Sequence, residues 1–153
     1  MDYNTKFVAE ALKQVGKPYL WGARGERQWS PSGPILLPEL AFDCSGLILH
    51  SAWQAGSKDR TMLENAQTLW DALSTPTVAS SPHLRLYGKD TEHVTHVALG
   101  FYIYGAGGLL VCEAAGGGSQ TTTVELARQQ GAAVRVGEEL RRDYLGARKL
   151  PFW

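Results

Sequence analysis

The hydrophobic period of this chain changes once, near residue 80, and that change limits the folds open to it. In the first half, apolar residues recur at three- and four-residue spacing. Phe7, Val8, Ala11, Leu12 and Val15 predict a helix over 5–15, with Asn4 or Thr5 to cap it and Gly16 to stop it. A second helix is expected from Cys44 to Ala55, ended by Gly56. A third is expected over 61–73, with Met62, Ala66, Leu69, Trp70 and Leu73 on one stripe. In the second half, two-residue alternation takes over. It predicts strands at Leu84–Tyr87, Val94–Tyr104, Leu109–Ala114, Ala133–Val136 and Tyr144–Leu150, the last interrupted by Gly146. Between Ala23 and Ala41, Pro31, Gly33, Pro34 and Pro38 predict a long irregular stretch, while Trp29, Ile35, Leu36 and Leu37 within it need something to pack against. Helices first and strands after give an α+β class, an antiparallel sheet packed against N-terminal helices. Neither an internal repeat nor a linker divides the chain, so one domain is expected over 1–153.

Charge and composition exclude several classes of function. Fifteen basic and fifteen acidic residues cancel, which leaves no global field to favour nucleic acid or an anionic membrane. Two cysteines are too few for a disulfide framework. The start, Met1-Asp2-Tyr3-Asn4-Thr5-Lys6, lacks a basic region leading into an apolar run, so no signal peptide is read there. No apolar stretch approaches the ~20 residues that a membrane-spanning helix needs.

The sharpest local feature is Phe42-Asp43-Cys44-Ser45-Gly46 at the expected start of the second helix. Unpaired N–H groups and the helix dipole favour negative charge there, so a thiol at Cys44 is placed to become a thiolate and nucleophile. The same N–H groups can help bind the oxyanion of an acyl intermediate. The bland alternative is a buried structural cysteine. A nucleophilic cysteine needs a base, and four histidines compete. His50 lies six residues beyond Cys44 on the same helix and faces elsewhere, as a surface or partly buried residue, while His83 and His93 fall in loops. His96 opens a strand that puts Val97, Leu99, Phe101 and Ile103 on one face and His96, Ala98, Gly100 and Tyr102 on the other. After the turn at Gly105, Gly107 and Gly108, Leu110, Cys112 and Ala114 alternate with Leu109, Val111 and Glu113. A hairpin that joins Cys112 to the Leu99 face must put Glu113 on the His96 face, where it can hold the imidazole. The alternative is a solvated carboxylate, with Gln120 or Asp90 as substitutes.

The order of these pieces resembles the NlpC-like family of cell-wall cysteine peptidases, small papain-fold enzymes. Gly16-Lys17-Pro18-Tyr19-Leu20-Trp21-Gly22 is followed by Phe42-Asp43-Cys44-Ser45-Gly46-Leu47 and then by Thr95-His96-Val97-Ala98-Leu99. The resemblance runs from about Phe7 to Leu150. It implies hydrolysis of the peptidoglycan stem peptide at the amide between γ-linked D-glutamate and the next diamino acid, without a cofactor or metal. Cys44 would be the nucleophile and His96 the base. Tyr19 would support the acyl intermediate or substrate, Asp43 and Ser45 would hold the free amine of a terminal L-alanine, and Trp21 would line the substrate site. Helix capping for Asp43 and core packing for Tyr19 and Trp21 are the plainer uses of those residues. The chain departs from the family pattern in three places. Glu113 stands where relatives carry His, Asn or Gln, Pro82-His83 replaces the usual lead into the strand before the histidine, and the 23–41 stretch is long.

Three rivals follow from the same residues. One is another papain-fold amidase or acyltransferase, and one is a non-catalytic module that binds peptidoglycan or a partner. The third is a metal site of Cys44, His93 and His96 with Cys112 or His83, against which strand geometry points the two histidines apart. A Cys44–Cys112 disulfide would abolish catalysis. The expected partner is peptidoglycan stem peptide or muropeptide. Delivery to the wall by a phage tail or secretion apparatus is one expectation for where the chain acts, and recycling of muropeptides in the cytoplasm is the other.

Overall fold

The computed structural model describes residues 1–103 and 108–153. The far end of the strand expected to reach Tyr104, and the turn at Gly105 and Gly107, lie outside the described residues. In chain order the elements are α1 (Tyr3–Leu12), β1 (Arg24–Gln28), β2 (Ile35–Phe42), α2 (Cys44–Gln54) and α3 (Ala66–Ala72). They continue with β3 (His83–Gly88), β4 (Val94–Tyr102), β5 (Leu109–Ala115), α4 (Val124–Gln130), β6 (Ala133–Gly137) and β7 (Tyr144–Arg148). Strands β6-β5-β4-β3-β7 form a five-stranded sheet whose neighbouring pairs are all antiparallel. Helices α1, α2 and α3 pack on one face of it. The α+β class with a sheet under N-terminal helices is therefore what the change of period announces.

Helix α2 is the centre of the molecule. Leu47, Ile48, Leu49, Ser51 and Ala52 on its successive faces are all buried, as a helix enclosed on every side requires. Leu84, Leu86, Val97, Leu99 and Cys112 meet it from the sheet and are fully buried. Gly46 is demanded by a close approach at the start of α2. A Cβ there would stand 2.1 Å from the Ala23 carbonyl oxygen. Gly146, which weakens the strand pattern in sequence, makes room for the Trp70 ring, whose atoms lie 3.1 Å from the site of a Cβ.

The irregular stretch expected over 23–41 is instead the β1–β2 hairpin. Arg24 pairs with Phe42 and Gly25 with Ala41, then the register shifts, and Arg27 pairs with Leu36 and Gln28 with Ile35. Residues 37–40 thus bulge opposite Glu26 alone, and Pro38 sits in that bulge, where its missing N–H costs no ladder bond. The helix expected over 61–73 begins only at Ala66. Asn65 caps it in a reciprocal box with Thr68, and the Arg24 guanidinium holds the carbonyls of Thr61 and Glu64 outside the helix. Helix α4 has no expectation behind it, because Ala127 is the one buried residue on its seven-residue length. Its signals were local, a Thr123 cap and Gly131 in the left-handed region. Two histidines also differ from expectation. His50 is buried against Phe42 and beneath Gly25, and His83 opens β3, buried, rather than standing in a loop.

Candidate active site

Asp43 ends β2's extended backbone and caps α2, so that Cys44 is the first residue of the helix. The cap is dense. Asp43 Oδ1 accepts from Gly46 N–H at 2.7 Å and Oδ2 from Gly22 N–H at 3.1 Å. The Arg24 guanidinium stands 3.5 Å from Oδ1, and the Ser45 hydroxyl donates to the same oxygen at 3.4 Å. Burial pushes the Asp43 carboxyl upward, with the Arg24 charge and both amides pulling against it. The first N–H groups of α2, at Cys44 and Ser45, have no carbonyl one turn before them and are left for an incoming oxyanion. Cys44 is half-buried, with its thiol 3.9 Å from the Thr95 carbonyl oxygen.

The histidine arrives from the sheet. The β4–β5 register pairs Leu99 with Cys112 and Gly100 with Val111, which sends Glu113 to the same face as His96. His96 Nε2–H donates to Glu113 Oε1 at 2.7 Å, since a carboxylate can only accept. That fixes the tautomer and leaves Nδ1 as the ring nitrogen available to Cys44, which lines the same cleft. Burial opposes charge on His96, but its interactions with Cys44 and Glu113 overcome that and hold the imidazole up at about 9. Burial likewise works against the Glu113 carboxylate, and its hydrogen bond to His96, with Arg135 behind it, takes it below the usual carboxylate value of 4.5. Arg135, on the facing residue of β6, completes the chain by donating to Glu113 Oε2 at 2.8 Å.

These groups open onto a cleft of about 970 Å³ lined on its other sides by Tyr19, Trp21, Trp29 and the loop at Gly116–Ser119. Tyr19 is buried, and burial with the nearby Cys44 and Asp43 charges raises its hydroxyl's pKa. Trp21 is 47% exposed on the wall of the cleft, so core packing does not account for it. The structure therefore gathers Cys44, His96, Glu113, Tyr19, Trp21, Asp43 and Ser45 around one cleft. Asp43 and Ser45 are turned inward and are 6% and 3% exposed.

The substitutes considered for Glu113 lie elsewhere. Asp90 accepts from His93 Nδ1 at 2.7 Å in an outer turn, and Gln120 is exposed in another. Because His93 faces that turn, it does not converge with His96. Both thiols are free, and Cys112 lies in the core, donating to the Ala11 carbonyl, its pKa pushed by burial up to about 12. Sequence reasoning did not assign Arg24, Trp29, Arg135 or Arg141 to the site, yet all four line the cleft. Arg135 alternates correctly in its strand and could have been found from the register. The other three depend on contacts between segments far apart in the chain.

No protein-family model matches the chain. A stretch of 56 residues is 39% identical to the bifunctional muramidase/DL-endopeptidase CwlT of Bacillus subtilis, a match that takes in 37% of this chain and 13% of that protein. Among solved structures, RipD of Mycobacterium tuberculosis, described as a non-catalytic NlpC/p60 domain protein adapted to peptidoglycan binding, superposes with a TM-score of 0.61 at 21% identity, over 96% of this chain and 95% of RipD. The peptidoglycan hydrolase RipB of the same organism gives 0.61 at 22% identity over 99% of this chain, which spans 66% of RipB's. The NlpC/p60 domain of the peptidoglycan hydrolase SagA gives 0.58 at 25% identity, over 95% of this chain and 97% of that domain.

Proposed function

Taking as premise that the chain is an NlpC/p60-like domain of papain-type fold, we propose that it is a cysteine peptidase of the peptidoglycan stem peptide, acting at the amide between γ-linked D-glutamate and the following diamino acid. The observation that carries this reading is the Cys44–His96–Glu113 chain opening on a cleft. A module that only binds has no use for a charged imidazole held between a thiol and a buried carboxylate.

The chemistry follows from the geometry. Cys44 as thiolate attacks the glutamyl carbonyl carbon, and the oxyanion forms against the first N–H groups of α2. His96, protonated at Nδ1, gives that proton to the leaving amine as the C–N bond breaks, which leaves a thioester and a neutral imidazole. The imidazole then takes a proton from water, whose oxygen attacks the thioester and frees the γ-carboxylate and Cys44. Glu113 holds the ring and balances its positive charge throughout, and Arg135 keeps Glu113 ionised.

RipD supports a second reading, a non-catalytic peptidoglycan-binding module, because a domain of the same fold is described in that way. Defined muropeptides incubated with purified protein and followed by mass spectrometry decide between the two. The peptidase reading expects cleavage after D-glutamate, lost in Cys44→Ala and His96→Ala. Binding without cleavage, with Cys44 inert toward iodoacetamide at neutral pH, would hand the case to the module.

A further inference from the structure

The peptidase reading leaves open which form of stem peptide the cleft accepts, and the groups at its Asp43 end bear on that. A free terminal ammonium needs an accessible carboxylate. Asp43 offers little, since it is only 6% exposed and already accepts from the Gly46 and Gly22 amides and the Ser45 hydroxyl. The neighbouring charge is the Arg24 guanidinium at 3.5 Å, which would repel an ammonium. Arg24 is anchored there by the Thr61 and Glu64 carbonyls and cannot swing away cheaply.

Two indole rings stand at the same end. Trp21 and Trp29 flank Gly22, whose N–H is on Asp43, and the backbone N–H of Trp29 donates to the Gly22 carbonyl at 2.9 Å. Both line the cleft, and they are 47% and 56% exposed. Large flat apolar faces left open beside a site that disfavours charge suit a neutral partner that is itself flat and apolar on one side. A pyranose ring, with its face of axial C–H groups, is such a partner.

The geometry points to a stem peptide still carried on its amino sugar as the substrate, the sugar resting on Trp21 and Trp29 and the L-alanine nitrogen present as an amide rather than an ammonium. This rests on the peptidase reading for the scissile bond, but the sugar platform is testable without turnover.

Cys44→Ala protein is titrated with N-acetylmuramyl-L-alanyl-D-glutamate and, separately, with L-alanyl-D-glutamate, with tryptophan fluorescence as the readout. The muramyl compound should shift the emission and bind at least about tenfold more tightly than the free dipeptide. Adding Trp29→Ala should bring the two affinities together, and Trp29→Phe, which keeps a smaller ring, should fall between. Equal affinities in the Cys44→Ala protein, or tighter binding of the free dipeptide, would overturn the platform. With the unmodified enzyme, the ratio of kcat/KM for muramyl tripeptide over free tripeptide should exceed about ten, and a ratio of one or less would overturn it as well. The two readings fail differently. Sugar-dependent binding without cleavage of either compound leaves the platform standing and removes the peptidase, whereas cleavage with a preference for the free amine does the reverse.

Discussion

Cys112 and Glu113 are adjacent in β5, and the pleat sends them to opposite faces of the sheet with opposite duties. The Cys112 face lies under α1 and α2, where Leu84, Leu86, Val97 and Leu99 join it in an apolar layer. On the other face, Glu113 meets His96 and Arg135, and Arg85 and Tyr87 both bond to Glu139. The first face gains stability by excluding water. The second holds charges that only a matched partner makes tolerable. Alternation by two residues thus lets a single strand serve the core and the site at once, and the price is that a register slip would exchange them.

The two thiols make the difference measurable. Cys44→Ala should lower kcat on a defined muropeptide by at least about 10⁴-fold, with the melting temperature little changed. Iodoacetamide should label Cys44 in the native protein and reach Cys112 only on unfolding, because Cys112 is fully buried with its pKa raised to about 12. Turnover that survives Cys44→Ala would remove the nucleophile and with it the contrast between the faces.

Glu113→Gln probes the polar face without emptying it. The amide can still accept from Nε2–H but no longer balances an imidazolium. Since Glu113 is one of the two groups holding His96 at about 9, the basic limb of the rate profile should move to lower pH. At neutral pH kcat should fall roughly 10²-fold. An unmoved basic limb would mean that Glu113 is only a structural partner of Arg135.

Cys112→Ala should do the opposite at smaller scale. It removes one sulfur from the apolar layer and costs about 1 kcal/mol in denaturant unfolding, with kcat unchanged. A large loss of rate in a folded Cys112→Ala protein would show that the faces are coupled.

This division was legible in the sequence wherever one strand's alternation carried it. The His96 face, the Leu99 face and the placing of Glu113 all follow from period two plus one register choice. What was illegible depended on meetings between distant segments. The Arg24 guanidinium reaches Asp43 and the 61–64 carbonyls across a fold that neither segment announces. The β1–β2 hairpin hides behind prolines that read as loop until the bulge opposite Glu26 shows where Pro38 can sit. Helix α4 has caps but almost no buried stripe, so the signal that usually marks a helix was missing. The resemblance of motifs brought Asp43 to attention for a substrate amine, and the structure adds its buried cap and its pairing with Arg24, which no motif announces.

The smallest effect expected concerns stability and pH, and its sign follows from the direction of two shifts. His96 is held at about 9 in the folded chain against an ordinary value of 6.5, so its charged form favours the fold. That contribution is full below pH 6.5 and is lost as pH rises through about 9. Glu113, lowered from 4.5, contributes above that value and loses its contribution as pH falls through the folded value. The contact therefore stabilises the protein most between these limits, around pH 5 to 6.5. The gap in melting temperature between unmodified protein and His96→Gln should be widest there and should close toward about pH 10. Because the Cys44 sulfur is the other group raising His96, the Cys44→Ala background should bring that closure to lower pH. A gap that stays constant from about pH 6 to about pH 10 would mean that His96 is uncharged in the fold, and the polar face would then owe its order to packing, as the other face does.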